Sequence, residues 1–283
     1  MAVWLITGCS SGFGDEITKA ALEHGDKVIA TSRNVSKLAN VKSLGAATIA
    51  LDINGSQTDV DATIAEAIKF YGKIDILVNN AGYALIGATE EASDEEAKAQ
   101  FDTNVFGLMS VTRAVLPYMR AQKSGTIANM GSIAGWAASG GIGYYCASKF
   151  AVVGLTEALR EEVAHLNIKA TVIEPGYFRT NFLNADLGNK TVAKKTIDDF
   201  KPVMDPIKDA FVQYDRAQAG DPKKGAQVIV EALTGTGRAA GKSLPARLPL
   251  GKDAAEFIAG TTERHRKELD DWKELASSTD HDE

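Results

Sequence analysis

Tyr145 and Lys149 stand four residues apart in a segment of helical period, so their side chains share one helix face. A phenol with its ordinary pKa of about 10 exchanges protons poorly near neutral pH. A lysine cation one turn away is expected to lower that pKa, because it stabilises the phenolate. Tyr144 pairs instead with Ser148 and gains no cation. The spacing therefore predicts Tyr145 as an acid/base group, although a surface Tyr–Lys pair is the commoner explanation of this spacing alone.

A glycine-rich loop follows the first apolar run of the chain and precedes a helical segment. Residues 7–14 read TGCSSGFG, with glycines at 8, 12 and 14. Glycines permit positive φ and let the backbone approach a ligand closely, and the free N–H groups of the following helix favour a phosphate. We therefore expect a pyrophosphate-binding loop here, with a plain tight turn as the alternative.

The elements that must position these residues alternate along the chain as far as residue 174. Strands are predicted over 2–7, 26–31, 47–52, 74–79, 125–131 and 168–174, and helices are predicted to begin near Phe13, Ser36, Gln57, Asp94 and Gly143. Strands that are apolar throughout and separated by helices are typical of a parallel sheet covered on both faces. The right-handed crossover rule then predicts a doubly wound α/β fold, with ligands at the carboxyl ends of its strands.

The alternation ends after Pro175. Apolar residues at 197, 200, 204, 207, 211 and 214 recur at steps of three and four, which predicts an amphipathic helical lid. Pro202 and Pro206 interrupt this pattern, so we expect two short helices, the second capped by Asp205. Further helices are predicted over 221–234 and 253–276, with a Gly- and Pro-rich connection over 235–251. We interpret residues 1–283 as one domain, with a cofactor-binding and catalytic core over 1–180 and a lid and extension over 181–283.

Charge and composition exclude several classes of protein. The 31 Lys and Arg against 37 Asp and Glu give a net charge of −6 and form no basic stripe, which excludes a nucleic-acid partner. There is no apolar run of about 18 residues, and the start of the chain lacks a charged signal region. We therefore expect a cytoplasmic protein without a membrane span. Cys9 and Cys146 are expected to be buried free thiols, and the four His lack metal-ligand spacing, so no metal is expected.

The order and spacing of several motifs resemble those of the short-chain dehydrogenase/reductase family. The motifs are TGxxxGxG at 7–14, Asn79-Asn80-Ala81-Gly82, Asn104, Ser132, Tyr145-x-x-x-Lys149 and the segment from Pro175 to Thr180. This resemblance implies a Rossmann fold of three α/β/α layers and an oxidoreductase that acts on CH–OH groups with a nicotinamide cofactor. Within the family, the chain resembles the branch of hydroxysteroid and retinol dehydrogenases.

The resemblance also implies roles for four catalytic residues. Tyr145 would exchange the proton, Ser132 would polarise the substrate carbonyl, and Lys149 would bond the nicotinamide ribose. Asn104 would hold a water that relays protons from Lys149 to solvent. Taken in isolation, Ser132 could instead cap the next turn and Asn104 could bond the backbone.

The end of the second strand predicts which nicotinamide cofactor is preferred. An acidic residue there would bind the ribose hydroxyls of NAD, but Ser32 holds the place and Arg33 follows. A guanidinium can bind a 2′-phosphate bidentately, so we expect NADP(H) rather than NAD. Asp52 resembles the family residue at the adenine amino group, with a helix N-cap or a turn carboxylate as the alternative. The implied cofactor-binding set is Gly8, Ser10, Ser11, Gly12, Phe13, Gly14, Ser32, Arg33, Asp52, Ile53, Asn80, Ala81, Gly82, Tyr145, Lys149, Pro175, Gly176, Phe178 and Thr180.

The substrate is expected to be a lipophilic ketone or secondary alcohol. The resemblance places Trp136, Ile142 and Tyr177 at the pocket, and no Lys or Arg cluster is aimed there. The apolar lid residues could equally serve only to pack the lid. The alternatives to a carbonyl reductase are a nicotinamide-retaining epimerase, dehydratase or cyclase, and a non-catalytic NADP(H) sensor. The family implies a homodimer or homotetramer, formed through the helices that carry Asn104 and Tyr145.

Overall fold

A computed structural model describes residues 1–183 and 190–281 of the protein, and these residues form nine strands. They are β1 (Val3–Ile6), β2 (Lys27–Ser32), β3 (Ala47–Ala50), β4 (Ile76–Asn79), β5 (Ala84–Ile86), β6 (Gly125–Met130), β7 (Ile168–Pro175), β8 (Lys190–Val192) and β9 (Arg247–Leu250). Seven of them form one parallel sheet in the order β3-β2-β1-β4-β6-β7-β9. The six strands predicted from the sequence all lie in this sheet, with ends within two residues of the prediction.

Helices cover both faces of the sheet, which confirms the predicted doubly wound α/β fold. They are α1 (Gly12–Glu23), α2 (Ala39–Ser43), α3 (Gln57–Ile68), α4 (Asp94–Phe101), α5 (Leu108–Gln122), α6 (Gly143–Val163), α7 (Lys201–Tyr214), α8 (Pro222–Thr234) and α9 (Lys252–Ala276). Along β1, Trp4 and Ile6 belong to the core under α1 and α8, whereas Leu5 belongs to the core under α3 and α5. A strand that is buried on both faces is apolar throughout, as the sequence showed. No helix among the described residues could cross a lipid bilayer.

Three strands lie outside the sequence prediction. β9 pairs with β7 at the edge of the sheet, within the connection that was expected to be irregular over 235–251. Its Pro249 is tolerated because an edge strand needs hydrogen bonds on one side only. β5 and β8 form a separate parallel pair that joins the lid to the segment after β4. Both are three residues long, too short for a hydrophobic period to reveal.

Over 197–214, within the described part of the lid, one α-helix forms where the sequence predicted two. α7 runs continuously from Lys201 to Tyr214, so Asp205 caps no second helix. Pro206 lies inside α7 and is exposed, and its ring removes a single backbone hydrogen bond. Met204 is fully buried, and its Sδ would lie 3.2 Å from a Cβ atom at Gly141. Burial of Met204 against the loop before α6 therefore holds the helix together across the proline. Part of the predicted lid, 184–189, lies outside the described residues.

Candidate active site

The glycine loop between β1 and α1 has the backbone that its sequence predicts. Gly8 and Gly12 adopt φ of +70° and +61°, which residues with side chains rarely adopt. A Cβ atom at Gly14 would collide with the carbonyl oxygen of Gly8 and lie 2.6 Å from the side-chain nitrogen of Asn80. A Cβ atom at Gly8 would lie 3.0 Å from the Cα atom of Ala81. The glycines therefore let the loop lie directly against the residues that follow β4.

Thr7 fastens this loop to the end of β4. Its Oγ1 accepts hydrogen bonds from the backbone N–H groups of Asn80 and Ala81, at 2.9 and 3.0 Å. The side-chain amide of Asn80 donates in return to the carbonyl oxygens of Thr7 and Gly8, at 2.9 and 3.2 Å. Thr7 is a site residue that sequence reasoning missed. Its place directly before the first glycine of the motif is the signal that could have found it.

The start of α1 offers an anion-binding site of the kind that a dinucleotide needs. Ser11 precedes the helix, and its side chain caps no N–H group of the first turn in the described chain. First-turn N–H groups have no partner within the helix, and the helix dipole favours a negative charge there. The loop therefore fits a pyrophosphate. Ser10 is exposed in the loop, whereas Phe13 packs on Phe178 with ring centres 4.9 Å apart.

The end of β2 lies beside the glycine loop, because the N–H group of Cys9 donates to the carbonyl oxygen of Thr31 at 2.9 Å. Ser32 follows, half-buried, and its Oγ accepts from the N–H group of Asn34 at 3.3 Å. Arg33 is exposed and makes no hydrogen bond or ion pair with any residue of 1–183 or 190–281. A guanidinium without a partner in the described part of the chain is therefore present next to the proposed nucleotide loop.

Asp52 is exposed, and its Oδ1 accepts from the N–H group of Asn54 at 3.1 Å. This contact is the turn carboxylate that the sequence left as the alternative, and the adenine contact stays a prediction. Ile53 is buried, and its carbonyl oxygen would lie 2.9 Å from a Cβ atom at Gly107.

Tyr145 and Lys149 are both buried on α6. The Nζ atom of Lys149 lies 5.7 Å from the centre of the Tyr145 ring and donates to the carbonyl oxygen of Met130 at 2.7 Å. Burial raises the pKa of Tyr145 to about 12 and lowers the pKa of Lys149 to about 8. The net shift of the Tyr145 pKa is upward because desolvation of the phenolate is the largest effect, and the lowering of that pKa by Lys149 stays a prediction.

Ser132 stands between β6 and the short turn that precedes α6. Its Oγ accepts from the N–H group of Ala134 at 3.1 Å, which is the capping contact that the sequence left open. Ser132 also lies close enough to the Tyr145 side chain to lower the phenol pKa, against the larger effect of burial. The structure thus brings the two predicted hydroxyls together at the carboxyl edge of the sheet.

Asn104 lies in a six-residue π-helical segment between α4 and α5. Its Oδ1 accepts from the N–H group of Tyr83 at 3.1 Å, and its Nδ2 donates to the carbonyl oxygen of Tyr83 at 3.0 Å and to Ser148 at 3.1 Å. It therefore bonds the backbone, and the water relay stays a prediction. A Cβ atom at Gly82 would lie 3.1 Å from Oδ1 of Asn104 and 4.0 Å from Nζ of Lys149. Gly82 is thus the point at which the two polar groups converge.

An apolar cover lies over the phenol. Ile142 and Phe182 pack with Tyr145 in one cluster, and the rings of Tyr145 and Phe182 are 5.9 Å apart. Of the predicted pocket residues, Ile142 therefore packs on the buried cluster that contains the candidate acid/base group. Tyr177 is 53% exposed and stacks on Tyr214 of α7 at 6.3 Å.

Trp136 is directed to a different partner. Its indole Nε1 donates to Glu174 at 2.8 Å, at the carboxyl end of β7.

The segment after Glu174 is held by the extension, since Gly176 N–H donates to the carbonyl oxygen of Leu250 at 2.9 Å. Pro175 pairs with Leu250 in the sheet. The Thr180 side chain would lie 3.6 Å from a Cβ atom at Gly12, so this segment returns to the glycine loop.

Nothing in the described chain resembles a metal centre. No group of three or more His, Cys, Asp or Glu within 1–183 and 190–281 could hold an ion. Cys9 and Cys146 are buried free thiols, as predicted. Burial raises the pKa of the Cys9 thiol to about 12, so it stays protonated.

Comparison with known proteins points to one family. The sequence model described as short chain dehydrogenase matches residues 2–190. A crystal structure of a short-chain dehydrogenase from Streptomyces avermitilis shares 37% identity, with a TM-score of 0.88 and 99% of each chain covered. The 3-ketodihydrosphingosine reductase of Bacteroides thetaiotaomicron is 39% identical over 68% of each chain. A 3-ketoacyl-(acyl-carrier-protein) reductase from Brucella melitensis, complexed with NADH, shares 27% identity with a TM-score of 0.72, over 89% of this chain and 98% of the reductase.

Proposed function

The chain belongs to the short-chain dehydrogenase family of nicotinamide-dependent oxidoreductases, and from that premise we propose that it reduces a lipophilic ketone with NADPH, using Tyr145 as the acid. The observation that carries the proposal is the burial of Tyr145 on α6, with Lys149 Nζ 5.7 Å from its ring and Ser132 close by, in an apolar cluster. Two hydroxyls that meet at the carboxyl edge of a parallel sheet can both address one carbonyl oxygen.

Each residue has a separate task in this proposal. Bound NADP(H) would supply the hydride to the carbonyl carbon. Tyr145 stays protonated at neutral pH because burial raises its pKa to about 12, so it can donate to the developing alkoxide. Ser132 polarises the carbonyl by a hydrogen bond. Lys149 and Asn104, which converge on Gly82, resupply the proton from solvent.

The NADP(H) preference rests on Ser32 and Arg33. A carboxylate at the position of Ser32 would repel a 2′-phosphate, and none is present there. Arg33 is exposed beside the glycine loop, without a partner among the described residues, and can form a bidentate contact with a phosphate. The NADH complex of the Brucella relative makes NAD the competing cofactor. The remaining members of the cofactor-binding set stay proposals of the same kind.

The lipophilic substrate rests on the surroundings of Tyr145. Ile142 and Phe182 pack on the cluster that contains Tyr145, and an apolar wall favours a substrate without charge at this end. The names of two relatives describe reductases of keto compounds, which favours a ketone here. An epimerase, dehydratase or cyclase that retains its nicotinamide is the second candidate, because the same hydroxyl pair could serve it.

A homodimer or homotetramer in the cytoplasm is the proposed state of the protein. Large apolar side chains are exposed on α6 and on the π-helical segment before α5, which are the elements that the family resemblance implicates. They are Phe106, Phe150 and Leu155, at 58%, 44% and 39% exposure.

The test is the Tyr145→Phe variant, with Tyr144→Phe as the matched control on the same helix. Loss of NADPH absorbance is followed with a series of ketones, and NADPH affinity is measured by fluorescence. We expect Tyr145→Phe to lose at least about 1,000-fold in kcat at an unchanged NADPH Kd, consistent with the loss of an acid group together with its alignment. Wild-type-like turnover by Tyr145→Phe would refute the assignment. Product formation without net NADPH consumption would favour the second candidate.

A further inference from the structure

Glu174 is fully buried at the carboxyl end of β7 and is held by two cationic or polar partners from distant segments. Its Oε1 accepts from Nε of Arg247 at 2.8 Å and also from Nη2 of the same guanidinium. Its Oε2 accepts from the indole Nε1 of Trp136 at 2.8 Å. The guanidinium carbon of Arg247 lies 3.7 Å from the centre of the Trp136 ring, in a cation–π contact. Arg247 therefore contacts both Glu174 and Trp136, the other partner of Glu174.

These contacts fix one end of the turn that carries Ser132. Nη2 of Arg247 also donates to the carbonyl oxygen of Gly135 at 3.1 Å. Within the turn, the N–H group of Gly135 donates to the carbonyl oxygen of Ser132 at 2.9 Å. The other end is held by Gly131, whose N–H group donates to Ile173 on β7 at 2.7 Å. The turn over 131–136 is thus fastened at both ends to β7, and at its far end by β9 as well.

We propose that Glu174 and Arg247 are positioning residues that aim the Ser132 hydroxyl at Tyr145 by clamping Trp136. The inference rests on the proposed function, since it concerns the aim of a hydroxyl used there. Arg247 lies beyond residues 2–190, the part that the family model matches, so the C-terminal extension would contribute directly to the geometry of the reaction centre. Reactions that depend on aligned donors respond to displacements of about 1 Å, and this makes such a clamp consequential.

Two conservative variants test the clamp without leaving a buried charge unpaired. Arg247→Lys keeps the cation but loses the planar fork and its stacking, and Trp136→Phe keeps the ring but loses the N–H donor. Arg238→Lys is the matched control, because Arg238 pairs with Glu231 at 2.6 Å on the surface of the same extension. Each variant is measured for kcat, KM for the ketone, NADPH Kd and hydrogen exchange of the backbone.

We expect Arg247→Lys and Trp136→Phe to lower kcat by about 10-fold or more, with NADPH Kd within twofold of the wild type. Amide exchange should accelerate over 133–136 but not over the strand 125–130, and the control should change neither. Wild-type kcat and exchange in both variants would overturn the proposal. So would a loss of kcat accompanied by an equal loss of NADPH affinity, because that marks general disruption. If the wild type turned over no ketone, the proposed function would fail, while the exchange data would still decide whether the clamp exists.

Discussion

The Nζ atom of Lys149 lies 5.7 Å from the centre of the Tyr145 ring, and both side chains share one buried space at the end of β6. That space disfavours the phenolate and the ammonium alike, so the pKa of Tyr145 rises to about 12 and that of Lys149 falls to about 8. The phenol is therefore protonated at neutral pH, which suits proton donation to a carbonyl and thus the reductive direction.

The buried ammonium should make stability depend on pH. The folded pKa of Lys149 is about 8 against 10.5 for the exposed group, so the unfolded chain binds more protons and stability rises with pH between these values. Compared with Lys149→Met, the wild type should gain about 2 kcal/mol in unfolding free energy between pH 7 and 9.5. Urea unfolding of both proteins at the two pH values measures this. A difference that stays constant with pH would show that Lys149 is not desolvated. The surface variant Lys169→Met is the control.

Arg33→Ala should weaken NADPH binding by about 10- to 100-fold, the effect of losing charge-assisted bonds to a phosphate. NADH affinity should change less than twofold, because NADH has no 2′-phosphate. Titration with both nucleotides checks this, and Lys37→Ala, at an exposed lysine four residues on, is the control. Equal losses for the two nucleotides would assign Arg33 a role other than phosphate binding.

Thr7→Val should remove the acceptor of two backbone N–H groups while keeping the shape of the side chain. Each buried N–H group left unpaired costs about 1–3 kcal/mol, and these two are only partly buried, so the unfolding free energy should fall by about 2–4 kcal/mol. Thr7→Ser retains the hydroxyl and should lose less than half of that. Denaturant unfolding compares the three proteins, and a larger loss in the Ser variant than in the Val variant would show that the methyl group matters rather than the hydroxyl.

Glu91→Gln should loosen the lid. The Glu91 side chain is buried and accepts from the N–H groups of Ile197 and Ala88, at 2.9 and 3.0 Å. An amide can accept only one of these bonds well, so cleavage by a protease near residue 197 should accelerate by about 10-fold, as local opening becomes easier by about 1.4 kcal/mol. Glu90→Gln changes the exposed neighbour and should leave the rate unchanged. No change in Glu91→Gln would mean that β5 and β8 hold the lid without this carboxylate.

The predictability of this site differs from residue to residue. Tyr145 and Lys149, and the glycines of the loop, follow from spacing within one helix or one turn, because local geometry decides which side chains meet. Asn104 and Ser132 were identified only by their resemblance to the family. Asn104 contacts residues that lie 21 and 44 positions away along the chain. Ser132 contacts a turn that residue spacing does not reveal. Arg247 escaped prediction because its partner, Glu174, is 73 residues away and its strand contains a proline.

The sequence by itself determined the parallel order of strands and helices, the glycine loop and the pairing of phenol and lysine on one helix face. Periodicity and close spacing encode these features, since they depend on neighbours in the chain. Only the tertiary structure decided three features. Tyr145 stays protonated, Thr7 fastens the glycine loop to the end of β4, and β9 contacts the turn that carries Ser132. These depend on burial and on contacts between distant segments, and solvent exclusion is a property of the folded whole rather than of any stretch of sequence.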